Sequence, residues 1–360
     1  MAKETSRYVG CLLGLAVGDA MGYTVDDKTW EQIRENYGPN GLLGYDLQND
    51  YAEVTSYTQI TAFIANGLLL GVTRGKPDAY LRHVTLALRE WAKRQHFPRD
   101  PERSWCWVAQ KPALRRRCCR DPWMLDAFRF EHLGTMQKPI NKADSPGAIG
   151  AAAAVALFYN PDRMEPAQVG SLTANIIAMT HGDPSAWLAG VALSYGLAGI
   201  LQEPDRPVAE QFLQAADVMQ SQFGSRYPQA GEIAEQLRTA VALAQSEGRD
   251  HRADMENFVC DTAPQCLQAA VYAAIVCPED FDAAMILAVN HSGRSAAVGA
   301  ITGAILGARL GQETLPEFYL ESLEPIEELR ELADDLALGS PSRGLFDDAW
   351  DHKYTHGMPL

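Results

Sequence analysis

Runs in which apolar and polar residues alternate, the mark of a half-buried strand, are almost missing from this sequence. Their scarcity excludes a sandwich or barrel and leaves helices to build the core. No CxxC pair occurs among the seven cysteines, an odd number in a long chain. That disfavours a zinc ribbon, a dithiol redox motif and a disulfide framework, and free thiols in a reducing cytoplasm are expected. Cations are in deficit: 31 Lys and Arg against 46 Asp and Glu give a formal net charge of −15. Such a field repels phosphate backbones and argues against nucleic acid as a partner. No long block of like charges marks an interaction tail. No apolar run reaches the roughly 18 residues of a membrane span. Val9–Val17 faintly resembles a signal-peptide core, but glycines break it and Asp19 follows without a cleavage site. What remains is a 360-residue globular chain, 47% hydrophobic and 21% charged, with a monomer as the default state.

The chain is organised around Val289–Gly311 (VNHSGRSAAVGAITGAILGARLG), a polar turn followed by four turns of small and aliphatic residues. Gly299, Gly303 and Gly307 fall on one helical face. Each glycine inside a helix costs about 1 kcal/mol relative to alanine, so three of them predict compensation by a close-crossing neighbour. Tyr8–Met21 uses the same device, with Gly10, Gly14, Gly18 and Gly22 spaced four apart. A helix N-terminus aimed into a cavity carries free N–H groups and partial positive charge, which places a site near Arg294, Ser295, Ala296 and Ala297. Asp19, set among apolar residues, needs a cation, a metal or several N–H donors, either as a site residue or as a buried hydrogen-bond hub.

Further helices are expected over Thr29–Tyr37, Thr55–Val72, Pro77–Gln95, Gly147–Tyr159, Pro166–Thr180, Pro184–Gln202, Val208–Gln222, Ala230–Gln245, Pro264–Val276, Asp280–Val289 and Pro325–Leu338. Phe97–Gly147 is the least regular part. Its Arg115, Arg116, Arg117 and Arg120, beside Trp105, Trp107 and Trp123, could form an RNA- or phosphate-binding loop, but in so acidic a chain they read instead as a solvated loop pairing with carboxylates. Gln245–Asn257 reads as a polar connector, and Ser340–Leu360 as an ordered tail that covers Trp350 and Tyr354. The fold expected is all-α, one helical domain over residues 1–339 with the tail packed on it.

Several motifs, in order, resemble those of the ADP-ribosylglycohydrolase family. GCLLGLAVGDAMG (Gly10–Gly22) is similar to the family's opening G-x-L-x-G-x-A-x-G-D-A-x-G, and THGDP (Thr180–Pro184) to its Thr-His-Gly-Asp-Pro. Thr55–Gly71 stands where the family has T-D-D-T-Q and an apolar helix, and NHSGRSAA (Asn290–Ala297) where it has N-x-x-G-D-[ST]-D-[ST]. The resemblance spans roughly Tyr8–Leu338. It implies an all-helical fold and two Mg²⁺ ions in a cleft between helices, held by carboxylates and other oxygens, with ADP-ribose positioned at the anomeric carbon.

Matched position by position, this chain departs from that pattern. Thr55 keeps the family's threonine, but Ser56 and Tyr57 stand for its two aspartates. Arg294 and Ala296 replace the aspartates of the last motif and Ala297 its Ser/Thr, and Asp26 stands for the glutamate that the family carries shortly after its opening motif. Pro139–Tyr159 aligns with a family stretch that has a Gly-rich turn followed by Met-Arg and Pro; the Met-Arg falls here at Gly150 and Ala151 and the Pro at Ala154, and Arg116–Trp123 lacks the Pro-Gly-Asn-Thr of the corresponding family segment. Two Mg²⁺ bring about +4 against a shell of about −5, whereas Asp26 and Arg294 sum to about zero. No metal and no cofactor are therefore expected, with Arg294 pairing with Asp26 or Asp19. The cleft would close around Tyr57 and Trp123, or bind a small anionic or ADP-ribose-like ligand at Asp19, Asp26, Tyr57, Arg294 and Ser295. A non-catalytic binding or partner protein is the favoured reading. The alternative is metal-free hydrolysis of an N- or O-glycosidic bond by Asp19, Asp26 and His181.

Overall fold

A computed structural model describes residues 5–47, 50–74, 79–96, 104–162, 164–338 and 348–355. Its helices are, in order, α1 (Thr5–Val25), α2 (Trp30–Tyr37), α3 (Ser56–Thr73), α4 (Tyr80–His96), α5 (Pro122–Asp126), α6 (Ala151–Phe158), α7 (Pro166–Ala178), α8 (Pro184–Gln202), α9 (Val208–Phe223), α10 (Gln229–Ala244), α11 (His251–Asn257), α12 (Ala263–Val276), α13 (Phe281–Val289), α14 (Ser295–Leu310), α15 (Glu317–Glu321), α16 (Ile326–Leu338) and α17 (Asp348–Thr355). Among the described residues the only β pairing is an isolated bridge between Ala52 and Leu323, so the all-α expectation holds.

The two glycine-faced helices cross in antiparallel contact, as their spacing predicts. A Cβ on Gly14 would lie 2.2 Å from the Gly303 carbonyl oxygen, and one on Gly303 would lie 1.9 Å from that of Gly14. Gly10 meets Gly307, Gly18 meets Gly299 and Gly22 meets Ser295 in the same way. Backbone touches backbone along the full crossing, so the propensity cost of the glycines is offset by contact that no other residue permits. Helices α3, α6, α8, α12, α13, α15 and α16 pack against this pair, and α4, α7, α9 and α10 pack in turn on α3, α8 and α12. Thr5–Val25 and Pro184–Gln202 are long and apolar enough to qualify as membrane spans by composition, which corrects the reading that no run is long enough. In the fold 89% and 72% of their apolar windows are buried, as core helices require. The seven cysteines are all free.

Other differences are local. Gly147–Tyr159 divides into a short 3-10 turn, Pro146–Ala148, and α6. Residues 251–257, read as connector, form α11. Apolar periodicity is absent there, but Asp250 caps Arg252 and Ala253, and buried Asp254 accepts from Arg249 and from the Tyr272 hydroxyl. Pro77, the start of the helix expected to run to Gln95, and Phe97 lie outside the described residues, as do 340–347 and 356–360 of the expected tail. In α17, Tyr354 is fully buried and Trp350 donates from its indole nitrogen to Thr73 Oγ1 at 3.0 Å.

The α1–α14 contact makes a direct prediction. Gly303→Ala gains up to about 1 kcal/mol of helix propensity but should cost about 3 kcal/mol net in urea unfolding, because it must force two backbones apart. Gly231→Ala in α10, whose added methyl would meet only a Gln220 side-chain nitrogen at 3.6 Å, should stabilise by about 0.5–1 kcal/mol.

Candidate functional site

Three helix ends converge where the sequence places the site: the C-terminal end of α1 and the N-termini of α3 and α14. Each N-terminus presents N–H donors and partial positive charge, and an aspartate from α1 or the turn after it serves each one. Asp19 serves α3. Its carboxylate accepts from Thr55 N (2.9 Å), Thr55 Oγ1 (2.6 Å), Thr58 N (3.0 Å) and Thr58 Oγ1 (2.6 Å), and it is fully buried. Burial pushes the acid above its usual range while these four donors pull against it. Thr55 itself caps α3, accepting from Tyr57 N at 3.4 Å. Of the two roles open to Asp19, the hydrogen-bond hub is the one this geometry displays.

Asp26 serves α14, accepting from Ala296 N at 3.1 Å. Its second oxygen, Oδ2, is buried without a hydrogen-bond partner and has Arg120 Nε at 3.6 Å. Burial is the main force raising its pKa to about 6; Asp27 adds to it, while the Ala296 N–H, Arg120 and Arg294 oppose it.

Arg294 does not pair with Asp19 or make its closest ion pair with Asp26, as expected from the sequence. Its guanidinium lies 3.8 Å from Asp27 and 3.7 Å from Asp261. The cation beside Asp26 is Arg120, which also donates to Asp27 at 3.1 Å and lies 5.3 Å from the Tyr23 ring centre. The geometric reason is reach. Asp26 Oδ1 is taken by Ala296 N in the first turn of α14, and the Arg116–Asp121 loop brings Arg120 to its other oxygen. Gln59 and Gln95 hold that loop by donating to the Arg116 carbonyl, each at 3.0 Å, and Gln95 Oε1 accepts from Cys118 N and Cys119 N. Arg116 in turn meets Glu53 and Glu324 at 2.7 and 2.5 Å, so this basic loop does pair with carboxylates.

The remaining positions line the same region without adding acids. Ser56, Tyr57, Ser295, Ala296 and Ala297 are buried. Tyr57 lies in the field of Asp26, Asp121 and Arg294, and its phenol is pushed far up, chiefly by burial. Trp123 remains 46% exposed, so it does not close the site with Tyr57. His181 is buried with both ring nitrogens engaged: Nδ1 with Thr180 Oγ1 at 2.9 Å, and Nε2 with Ser145 Oγ at 3.2 Å and Asp121 Oδ2 at 3.4 Å. Burial opposes ionisation of Asp121, but His181, Ser145 and the Trp123 N–H outweigh it and hold the acid at about 2. This cluster ties three segments together and leaves His181 no free nitrogen for a substrate.

Sequence reasoning missed Arg120, Asp27 and Asp261 as members of the site. The Asp26-Asp27 pair was visible as adjacent acids; the entry of Arg120 depends on a loop path that no spacing encodes. It also missed backbone strain. Asp27, Val259 and Cys260 all have positive φ (61°, 66° and 55°), and Gly293 has φ of 118°. These segments bond to each other: Asp27 N to the Gly293 carbonyl (3.2 Å) and Arg294 N to the Cys260 carbonyl (2.9 Å). A side chain at Gly293 would strike the Val259 carbonyl oxygen at 2.6 Å. Positive φ at a β-branched valine is a true outlier, and such strain persists only where the surroundings over-determine it.

The donor set does not fit a pair of divalent ions. Thr55 Oγ1 is spent on Asp19, Asp26 Oδ1 on Ala296, and two guanidiniums stand among Asp26, Asp27 and Asp261. Among the described residues no group of three His, Cys, Asp or Glu side chains is placed to hold a metal ion.

Comparison with known proteins adds three findings. The profile of the family described as ADP-ribosylglycohydrolase matches residues 1–345. A protein of Archaeoglobus fulgidus described as uncharacterized is 23% identical over 339 residues, covering 92% of this chain and 95% of its own. A solved structure titled ADP-ribosylglycohydrolase-related protein complex superposes with a TM-score of 0.57 at 22% identity, covering 94% of this chain and all of that one; at that identity the likeness speaks for the fold.

The raised pKa of Asp26 carries a sign. Its folded-state value, about 6, lies above the ordinary 3.8, so the folded protein holds the extra proton between those values. The Asp26 contribution is fully present below about pH 4 and is lost as pH rises through about 6, by up to about 3 kcal/mol. Unfolding of the wild type and of Asp26→Asn from pH 4 to 8 should show a stability difference that falls over that window and levels above pH 7.

Proposed function

The chain belongs to the ADP-ribosylglycohydrolase family, and on that premise we propose that it is a member without two-metal hydrolysis, acting as a binding or partner protein. One observation carries the reading: Arg120 and Arg294 stand among Asp26, Asp27 and Asp261 at the N-terminus of α14, where the family resemblance sets a metal cage. Arginine stays protonated at any working pH. A divalent ion about 4 Å from one such charge meets repulsion of several kcal/mol at an effective dielectric near 20. Ser56, Tyr57, Ala296 and Ala297 offer no carboxylate to offset it.

The same bookkeeping bears on an anionic or ADP-ribose-like ligand. With all groups ionised, three acids and two guanidiniums leave the cluster at −1, and at zero when Asp26 is protonated. The two arginines are thus largely neutralised from within, which favours a structural or partner-binding role over anion capture. Metal-free hydrolysis is the second reading. Asp26, with its pKa raised to about 6, has the character of a general acid near neutral pH. Asp19 and His181, the other two candidates, are committed to internal hydrogen bonds.

Incubation with ADP-ribosylated arginine and 10 mM Mg²⁺ should release no ADP-ribose, and Mg²⁺ should leave the melting temperature unchanged. A ligand at 100 times its Kd would add about 2.7 kcal/mol of stability and would be seen. Magnesium-dependent turnover would refute the proposal. Magnesium-independent turnover that disappears in Asp26→Asn would establish the second reading.

A further inference from the structure

At the C-terminal end of α8, the opposite end of that helix from His181, lies a cavity of about 180 Å³. Val169 of α7, Ala198 of α8 and Ala215 of α9 form its buried floor, Tyr159 and Tyr195 its walls, and Val218 part of its rim. No feature of the family-equivalent site reaches it. Gly199 lets the Gln211 side chain lie against α8, since a Cβ there would press on the Gln211 side-chain oxygen at 2.3 Å.

Part of the polar lining is used within the protein. Tyr195 Oη donates to Gln222 Oε1, and Gln211 Nε2 donates to the Glu203 carbonyl at 3.0 Å. Gln202 Nε2 donates to the Ala198 carbonyl at 3.2 Å, and Gln214 Oε1 accepts from Arg206. The Glu203 carboxylate has Arg206 at 3.5 Å. An anionic guest would meet the Glu203 carboxylate, and Arg206 beside it is already paired with Glu203 and Glu210. A flat apolar guest loses little on entry. Apolar cavities of about 150 Å³ hold a benzene-sized ring, and aromatic walls favour edge or offset contact with another ring.

We propose that this cavity is a binding site for a small, uncharged aromatic molecule of one or two fused rings. The exposed positions at its mouth, Pro166, Gln202, Glu203 and Gln214, leave it open to solvent. The site is independent of the α14 cluster, so it stands whether or not the chain hydrolyses anything.

Titration of the full chain with indole, followed by methyl NMR, tests the proposal. Saturable shifts should be confined to the methyl groups of Val169, Ala198, Ala215 and Val218 and their neighbours, with a Kd on the order of 1 mM for so small a ligand. Indole-3-acetate, which adds a carboxylate, should bind at least about tenfold more weakly, the cost of desolvating a charge. Val218→Trp should fill the rim and weaken indole by about tenfold or more; Gln214→Trp, at an exposed position, is the second variant if the first misfolds. Shifts absent at 10 mM indole, shifts scattered over the molecule, or indole binding unchanged in a folded rim variant would each overturn it.

Discussion

Backbone-to-backbone contact between α1 and α14 is the constraint from which the rest follows. Seven glycines and Ser295 bring the two helices so close that an added methyl on any of the glycines would lie within 2.4 Å of the opposing main chain. That fixes α14 against α1 in register and direction. It puts the first turn of α14 beside the turn that follows α1, and so sets Ala296 N over Asp26. Asp19, two turns back along α1, meets the start of α3 through Thr55 N and Thr58 N. The scaffold therefore delivers two acids to two helix N-termini before any ligand is considered.

What stands beyond those acids decides the chemistry. A cage for divalent ions needs excess negative charge in a small volume, and this chain has supplied guanidinium on two sides instead. Arg294 comes from the turn before α14 and Arg120 from a separate loop, and both carry long, incompletely closed ion pairs of 3.6 to 3.8 Å. The arginines are a quarter to a third exposed, while the Asp26 carboxylate is buried. Here they work against the cost of burying Asp26 rather than as free stabilisation. The positive-φ residues Asp27, Val259 and Cys260 lie in the segments that bond to one another and to Gly293 and Arg294 just before α14.

Much of the fold was legible because helices announce themselves by period. Glycine at every fourth position of two segments can serve only a close crossing, and the crossing is there. The α11 segment was not legible, since HRADMEN has no apolar stripe; its stability comes from Asp254 reaching Arg249 and Tyr272, which are pairings made by the fold. At the site, the substitutions at Ser56, Tyr57, Arg294, Ala296 and Ala297 could be read position by position, and so could the ambiguity of Asp19. Which cation would meet which acid could not. By its sequence Arg294 is expected to pair with Asp26 or Asp19, yet Arg120 is the neighbour of the free Asp26 oxygen, because the amides of Gln59 and Gln95 on two other helices hold the loop from Arg116 to Asp121.

Diffraction from crystals soaked in Mn²⁺, a heavier stand-in for Mg²⁺ with an anomalous signal, tests the exchange of metal for guanidinium most directly. The account predicts no anomalous peak among Thr55, Asp26 and Arg294, with the Arg120 and Arg294 side chains still directed at Asp26, Asp27 and Asp261. An ordered manganese peak there, with both arginines swung aside, would contradict it.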